Sequence, residues 1–214
     1  SPDRTIKIGS PMFEVLNSQK KSIDNSKILE ILNLESGKYF LVSCHREENV
    51  DNKKNFKLLI DSLNKLANEY KMPIIFPIHP RTKKTYNKSD LTLDKLVKFI
   101  DPLGFNDYNK LQIESFVVLS DSGTIFEESS ILNFRALNIR ESHERPEAIE
   151  ETSVVVTGLK IERILQGIKM LENQTTGKKR NINLVSDYNI SNVSLKIERI
   201  ILSHIDFVNR VVWQ

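Results

Sequence analysis

The stretch SDSGTIFEE, residues 120 to 128, combines small residues that would admit a phosphate with two carboxylates. It follows an apolar run and precedes a helical pattern, so Ser122 and Gly123 fall at a helix N-terminus, where backbone N–H groups bind anions. The same residues also suit an ordinary helix cap. Successive helix residues diverge by about 100°, so Glu127 and Glu128 cannot both face a ligand. The stretch predicts an anion site with one carboxylate beside it.

The elements that would position this site are short apolar, β-branched runs separated by stretches with helical spacing. The predicted strands lie at 39–44, 74–78, 96–100, 116–119, 136–139 and 153–156. Near-continuous apolar strands that alternate with helices indicate a parallel sheet covered on both faces. The predicted fold class is therefore α/β, a doubly wound parallel sheet of about six strands.

Ligands of such sheets bind beyond the carboxyl ends of the strands. Those positions hold His45 to Asn49, His79 to Arg81, Asp101 to Gly104, Asp121 to Thr124, Arg140 to Pro146, and Thr157-Gly158. Three of the four histidines and much of the local arginine therefore lie at one edge. This clustering predicts that the functional site lies at that edge of the sheet.

The sequence gives less support to a thiol–imidazole pair or a zinc site than to an anion site. Cys44 and His45 are adjacent in a strand and point to opposite faces, so they cannot pair. Cys44 is predicted to be core, whereas His45, at the strand end, is either a site residue or a structural histidine. Zinc binding by His45, His79 and His143 would need ligands from separate strands without any close-spaced pair, so no metal is expected.

The segment RESHERPEAIE combines Arg140 and Arg145 with several glutamates. A charged run of this kind is usually a solvated, self-neutralising loop. Its predicted position beside Ser122 favours an alternative, in which a guanidinium neutralises a diphosphate or binds it in bidentate fashion. Pro146 would stiffen the loop in that case.

The composition limits the classes of function that the chain could have. The 214 residues are 39% apolar and 28% charged, as expected for one globular domain, and a single cysteine fits a cytoplasmic setting. A net charge of +3 from scattered lysines does not predict nucleic-acid binding. No apolar run approaches the roughly 20 residues of a membrane helix, and neither G-x-G-x-x-G nor a Walker A motif occurs.

Three segments are expected along the chain. Residues 1–22 are predicted to be a connector from a preceding domain, 23–190 a Rossmann-like domain, and 191–214 a C-terminal helix, so the chain is expected to be part of a longer protein. The apolar stripe of that helix would pack either on its own sheet or on the other domain. Residues 175–191 are polar and aperiodic, which predicts a loop.

Several motifs occur in a characteristic order: HREEN (45–49), PIHPR (77–81), DPLGFNDY (101–108), SDSGTIFEE (120–128) and RESHERPEA (140–148). Together they resemble the non-hydrolysing UDP-N-acetylglucosamine 2-epimerase family, from about residue 5 to the C-terminus. IKIGSPMFEVL, RESHERPE and the ending NRVVWQ resemble the branch that makes UDP-N-acetyl-L-fucosamine for capsular polysaccharide or O-antigen.

The resemblance implies the second Rossmann-like domain of a glycosyltransferase-B type fold, which binds a UDP-N-acetylhexosamine against its own N-terminal domain. It implies no cofactor, and a homodimer for the longer protein. UDP contacts would fall on His45, Tyr108, Ser122, Gly123, Thr124, Glu128 and Arg145. His45 would also support catalysis, while the principal carboxylates would belong to the first domain. Arg46 and His79 match a second nucleotide-sugar site of some members.

The sequence departs from the family pattern at three places. Thr124 replaces the second glycine of D-S-G-G, Phe126 replaces a glutamine, and His79-Pro80-Arg81 replaces H-x-N-P. The threonine would crowd the diphosphate or contact it through its hydroxyl. A UDP-sugar glycosyltransferase, a hydrolysing epimerase and a non-catalytic nucleotide-binding or interaction module stay open as alternatives.

Overall fold

The computed structural model describes residues 5–141 and 145–213. Its six strands are β1 Phe40–Ser43, β2 Ile74–Pro77, β3 Val97–Ile100, β4 Val117–Ser120, β5 Ala136–Asn138 and β6 Val155–Val156. They form one sheet in the order β3-β2-β1-β4-β5-β6, and every neighbouring pair is parallel. All six predicted strands and the predicted fold class are confirmed.

Helices connect these strands. Those within the described ranges are α1 Met12–Asp24, α2 Ile28–Leu32, α3 Glu47–Val50, α4 Lys53–Tyr70, α5 Pro80–Asn87, α6 Phe105–Glu114, α7 Ile125–Leu132, α8 Pro146–Glu151, α9 Ile161–Leu171 and α10 Val193–Val211, with a 3₁₀ turn at Ser186–Tyr188. None of these helices is long and apolar enough to cross a bilayer.

The core consists of two layers, one on each face of the sheet. Successive strand residues point to opposite faces, so Phe40 and Val42 pack in the layer of α4 and α9, whereas Leu41 packs with Leu111 of α6 and Ile125 of α7. Both faces of β1 are thus covered, which explains its uninterrupted apolar sequence.

Helix α4 shows how the sequence specifies these elements. The Asn52 side chain accepts hydrogen bonds from the backbone N–H groups of Lys54 and Asn55, which caps the helix N-terminus. Apolar residues recur at helical spacing from Phe56 to Leu66, and this stripe is buried on the sheet. Each feature is local, so the helix could be predicted from the pattern.

Helix α1 replaces the second half of the connector predicted for residues 1–22. The Ser10 hydroxyl accepts a hydrogen bond of 3.1 Å from Met12 N and so starts the helix. Leu16 and Ile23 are buried, and the helix packs on α6 and α7. The segment therefore belongs to this domain's own core, because an amphipathic helix is stabilised by the apolar face that it buries. The boundary between domains stays a prediction.

The segment 175–191 is irregular apart from the 3₁₀ turn, as predicted. Its backbone is held by the Asn133 side chain, whose amide donates to the carbonyl oxygens of Gly177 and Lys179. Val185 and Tyr188 are buried beside α7. The loop thus packs over the layer that contains α7, despite its polar composition.

Helix α10 has a long exposed apolar surface. Val193, at its start, is buried. Large apolar side chains farther along are exposed: Leu195, Ile201, Leu202, Ile205 and Val211. We refer to these five residues as the α10 face. Within the described part of the chain, most of this helix does not pack on the sheet.

Candidate functional site

The site lies where the strand order reverses. Strands β1 and β4 are neighbours at the centre of the sheet, with Ser43 paired to Ser120 at their carboxyl ends. The chain leaves β1 toward β2 on one side and leaves β4 toward β5 on the other. A crevice at such a switch point is the usual ligand site of an open α/β sheet. The loops after these two strands carry His45 and Ser122.

Asp121 organises the crevice. It is 0% exposed, and its carboxylate accepts hydrogen bonds from His45 N at 3.1 Å, Arg46 N at 2.9 Å and the Asn49 side chain at 3.1 Å. The Cys44 thiol also donates to it, at 3.1 Å. A buried carboxylate is stabilised by donors of this kind. Asp121 therefore fixes the loop between β1 and α3.

The two residues at the end of β1 have the different environments predicted for them. Cys44 is buried, and burial followed by the Asp121 carboxylate raises the pKa of its thiol well above the ordinary value. The thiolate is therefore disfavoured. The His45 side chain is half exposed, with its Nδ1 3.4 Å from Asp121 Oδ1. The imidazole thus borders the crevice while the thiol belongs to the core.

The turn into α7 places hydroxyls and amides together. Ser122 Oγ and Thr124 Oγ1 are 3.0 Å apart, and Thr124 N donates to Ser122 Oγ at 3.3 Å. Ser122 N donates to Ser120 Oγ at 3.1 Å. The first N–H groups of an α-helix have no partner within the helix, so the start of α7 offers donors to an anion. The structure places Gly123 within this turn.

Glu128 lies about one turn farther along α7 and is 8% exposed. Gln112 Nε2 donates to its Oε2 at 2.6 Å, and the Thr124 hydroxyl is within hydrogen-bonding reach of the same carboxylate. Burial raises the Glu128 pKa, and these two hydrogen bonds oppose that rise. The carboxylate is thus held between α6 and the turn that carries Ser122.

Tyr108 lies on α6, one turn before Gln112. Its phenol is within hydrogen-bonding reach of the Ser43 and Gln112 side chains, and burial followed by the Glu128 charge raises its pKa. The ring belongs to the layer formed by α6 and α7. The structure therefore brings Tyr108, Glu128, Thr124 and Ser122 into one continuous group.

Glu127 faces another way. It is 5% exposed, accepts a short hydrogen bond from the Ser10 hydroxyl, and lies 3.4 Å from Arg145 Nη2. The two adjacent glutamates of α7 thus diverge, as the helical geometry predicts. Glu127 fixes the segment that enters α1, while Arg145 stands at the same edge of the sheet as Ser122.

The first residue of the charged segment after β5, Arg140, is not solvated. Arg140 is buried, and its Nε donates to Glu48 Oε1 at 2.8 Å. This ion pair joins the end of β5 to α3, so RESHERPEA and HREEN, distant in sequence, meet at the crevice. His143, named above as a possible zinc ligand, lies outside the described residues.

His79 and Arg46 lie farther along the edge, after β2 and β1. The His79 ring accepts a hydrogen bond from Arg81 N at 3.3 Å and caps α5. Arg81 forms ion pairs with Glu47 and Asp51. Across residues 5–141 and 145–213, no group of three or more His, Cys, Asp or Glu residues is placed to hold a metal ion.

Three residues of this site have no individual role in the sequence prediction. Asp121 was identified only as part of the motif, Gln112 was not singled out, and Ser10 was assigned to a connector. Gln112 could have been found, since it lies four residues after Tyr108 and so shares its helix face. Ser10 gave no such signal, because its partner Glu127 is 117 residues away.

The fold and the candidate site define an α/β domain in which the start of a helix, α7, lies at the switch point of a parallel sheet. The family model for UDP-N-acetylglucosamine 2-epimerase matches residues 1–202. The chain therefore belongs to the UDP-N-acetylglucosamine 2-epimerase family.

Individual relatives agree with this assignment. UDP-N-acetylglucosamine 2-epimerase of Methanococcus maripaludis is 36% identical over 156 residues, which cover 70% of this chain and 43% of that protein. The structure of a Rickettsia bellii UDP-N-acetylglucosamine 2-epimerase is 44% identical with a TM-score of 0.90, and the match covers 100% of this chain and 57% of that one. A Methanocaldococcus jannaschii UDP-GlcNAc 2-epimerase in complex with UDP-GlcNAc and UDP is 27% identical with a TM-score of 0.81, over 95% of this chain and 56% of that one. The chain thus spans about half the length of these relatives.

Proposed function

We propose that this chain is the UDP-binding half of an enzyme that inverts C2 of a UDP-N-acetylhexosamine. One observation carries the proposal: the helix start at Ser122, which can bind an anion, and the buried carboxylate of Glu128 lie together at the switch point of the sheet. Ser122 and the first amides of α7 bind the diphosphate, and Glu128 accepts hydrogen bonds from the ribose hydroxyls. Tyr108 lies near the uracil, and His45 supports catalysis.

The reaction in this proposal is an elimination followed by an addition. A base of the other half removes the C2 proton, the electrons of the C2–H bond form the C1–C2 double bond, and UDP departs from C1 with the electrons of the C1–O bond, which leaves a 2-acetamidoglycal. UDP then adds back to C1 while C2 receives a proton on the opposite face. The electrostatic requirement is to stabilise UDP as a leaving group, which positioned donors and cations achieve without reorganisation. The helix start and Arg145 meet that requirement.

Arg145 is available for this role. A guanidinium has five N–H donors, and the contact with Glu127 at 3.4 Å engages part of them. Its side chain is 40% exposed, so the guanidinium is accessible to a ligand while it keeps its contact with the buried Glu127 carboxylate. The Glu127 carboxylate holds the arginine at the edge of the crevice and prevents its wider movement.

The remaining parts of the proposal concern the rest of the enzyme. Relatives are about twice as long as this chain, and we assign the principal acid/base carboxylates to that other half. The α10 face packs against it. The product is UDP-N-acetyl-L-fucosamine or UDP-N-acetylmannosamine, the longer protein is a homodimer in the cytoplasm, and Arg46 with His79 contributes to a second nucleotide-sugar site.

Calorimetry with UDP tests the binding role. The chain is expected to bind UDP weakly, and Arg145→Ala is expected to weaken binding by about 10-fold or more, because a hydrogen bond to a charged group contributes roughly 1.5–3 kcal/mol. Arg163→Ala is the matched control, since Arg163 is an exposed arginine of α9 that contacts Gln166. No heat from any uridine nucleotide, or equal effects of the two substitutions, would contradict the proposal and favour a non-catalytic module.

Deuterium exchange tests the reaction. In D₂O the longer protein is expected to place deuterium at C2 of its UDP-sugar, whereas this chain alone shows no turnover. Transfer of the sugar to an acceptor without exchange would indicate a glycosyltransferase, and release of free sugar would indicate a hydrolysing epimerase. Turnover by the 214-residue chain would contradict the assignment of the principal carboxylates to the other half.

Charge introduced on α10 tests its docking. Leu202→Asp should leave the melting temperature of this chain nearly unchanged, because the side chain is exposed here. In the longer protein the same substitution should lower it, since a charge would then be buried without a partner. Ser203→Asp, also exposed in this chain, is the control. Equal effects of both substitutions in the longer protein would place the contact elsewhere.

A further inference from the structure

We propose that Gln112 and Thr124 are positioning residues that hold the Glu128 carboxylate at a fixed place relative to Ser122, so that ribose recognition depends on them. The inference rests on the proposed function and concerns the same site. It also gives a role to the threonine that stands where the family has a glycine.

Gln112 is placed to serve Glu128. The side chain is fully buried, and its Nε2 donates to Glu128 Oε2 at 2.6 Å. Its Oε1 has no hydrogen-bond partner within the described ranges. A buried carbonyl oxygen without a donor is unfavourable. The hydrogen bonds that the amide N–H groups make must therefore stabilise this orientation of the Gln112 side chain. These N–H groups donate to the Glu128 carboxylate, and the Tyr108 phenol is within hydrogen-bonding reach.

Thr124 connects the carboxylate to the anion site. Its Oγ1 is 3.0 Å from Ser122 Oγ. Glu128 lies one turn later on the same helix face, with Glu128 N donating to Thr124 O at 2.9 Å, and the Thr124 hydroxyl is within hydrogen-bonding reach of its carboxylate. An ionised carboxylate only accepts hydrogen bonds, so a Thr124 hydroxyl that donates to Glu128 accepts from Ser122 Oγ. In that arrangement the three side chains form a directed chain from Ser122 through Thr124 to Glu128. A glycine at position 124 could not form it.

Both contacts also favour the ionised carboxylate. The hydrogen bonds from Gln112 and Thr124 lower the Glu128 pKa against the rise that burial causes. An ionised carboxylate accepts from two neighbouring hydroxyls at once, which suits the vicinal diol of a ribose. Without the two donors, the carboxylate would be free to adopt another rotamer or to bind a proton.

The test compares UDP with 2′,3′-dideoxy-UDP, which lacks both ribose hydroxyls. The ratio of their dissociation constants measures ribose recognition separately from diphosphate binding. The unaltered protein is expected to prefer UDP by about 10-fold or more. Gln112→Met and Thr124→Val, which keep the side-chain size, should each reduce this ratio about 3- to 10-fold. For Gln112→Met, whose side chain lies away from the diphosphate, the affinity for dideoxy-UDP should change less than about 2-fold.

Matched substitutions separate positioning from a structural role. Thr124→Ser restores the hydroxyl and should retain the ratio of the unaltered protein. Gln166→Met repeats the glutamine substitution at an exposed position of α9 and should have no effect. Thr124 is partly exposed, so Thr124→Val provides a folded variant even if Gln112→Met does not fold.

The outcomes are distinguishable. A reduced ratio in Thr124→Val, restored in Thr124→Ser, supports the inference. An unchanged ratio, or equal weakening of both nucleotides, overturns it while UDP binding itself stands. Absence of UDP binding by the unaltered protein overturns the proposed function, and this inference with it.

Discussion

Replacement of Asp121 by asparagine tests whether one buried carboxylate holds the loop that carries His45. The substitution keeps the shape of the side chain and exchanges one oxygen for an NH₂ group. Oδ2 accepts from His45 N, Arg46 N, Asn49 Nδ2 and the Cys44 thiol. Oδ1 also accepts from His45 N and lies 3.4 Å from His45 Nδ1. An asparagine with its oxygen at the Oδ2 position keeps the first set and turns its NH₂ group toward the backbone N–H of His45.

The magnitude follows from these contacts. Hydrogen bonds to a charged group contribute roughly 1.5–3 kcal/mol each, against about 0.5–1.5 kcal/mol for neutral pairs. Loss of the charge weakens the four that Oδ2 accepts, and relief from burying a charge offsets part of the loss. The expected net destabilisation is about 2 kcal/mol. For a chain of this size, that lowers the melting temperature by about 4–8 °C.

Two measurements check this value. Calorimetric unfolding gives the melting temperature, and the labelling rate of Cys44 reports local opening, because it is the only cysteine and its thiol is buried against Asp121. A loss of about 2 kcal/mol should accelerate labelling about 30-fold when opening and closing are fast relative to the labelling reaction. Asp61→Asn, at an exposed carboxylate of α4 paired with Lys57, is the control and should shift the melting temperature by less than about 2 °C.

The reasoning would be refuted if Asp121→Asn and Asp61→Asn unfolded within about 2 °C of each other and Cys44 labelling stayed unchanged. In that case, the carboxylate would not fix the loop despite its contacts. A lower melting temperature with unchanged labelling would also contradict it, because the destabilisation would then arise away from the loop.

Three further predictions concern stability. Glu128→Gln should raise the melting temperature at pH 7, since burial raises the pKa of this carboxyl and its ionised form is therefore the unfavourable one. The difference from the unaltered protein should shrink as the pH falls through that raised pKa toward the ordinary value of 4.5, because Glu128 then binds a proton. Gly9→Ala should destabilise the chain more than Gly37→Ala, although both glycines have positive φ. A Cβ at Gly9 would lie 2.6 Å from a side-chain carbon and 3.1 Å from a carbonyl oxygen, whereas a Cβ at Gly37 would have no neighbour within 4 Å. We expect the melting temperature to fall by about 2–4 °C in Gly37→Ala and by at least about twice that in Gly9→Ala. Arg81→Ala removes exposed ion pairs, so the melting temperature should fall by no more than about 2 °C, and by less in 1 M salt.

Thermal unfolding across pH and salt measures all three. A gain in Glu128→Gln that persisted unchanged at acidic pH would show that the carboxyl charge is not its source. Equal losses in the two glycine variants would show that the chain around Gly9 relaxes. A large, salt-independent loss in Arg81→Ala would show that this arginine packs as well as pairs.

The strands and the edge that carries the site could be predicted because both follow from local periodicity. Runs such as that at β1 are apolar on both faces, which occurs when helices cover a parallel sheet. Once the strands are parallel, the residues after each of them must meet at one edge. His45 and Ser122 therefore came together in the prediction without knowledge of any contact.

The contacts themselves could not be predicted, because they join residues far apart in sequence. Asp121 looks like an ordinary helix cap until its donors from the loop after β1 are known. The helix at Met12–Asp24 was missed because its stripe is narrow and its N-terminal signal is a serine before a proline, which also suits a turn. Only the packing on α6 and α7 decides between those alternatives.

The central position of β1 also constrains how the chain folds. This strand pairs with β2 soon after it is made, but its other edge waits for β4. His45 and Asp121, which join the two halves of the site, are 76 positions apart. Closing so long a loop is entropically slow, and an apolar strand with an unpaired edge is prone to aggregation during that interval. The arrangement that creates the crevice therefore also makes its completion a late step of folding, and a chain emerging from the ribosome exposes its central strand until residue 120 is available.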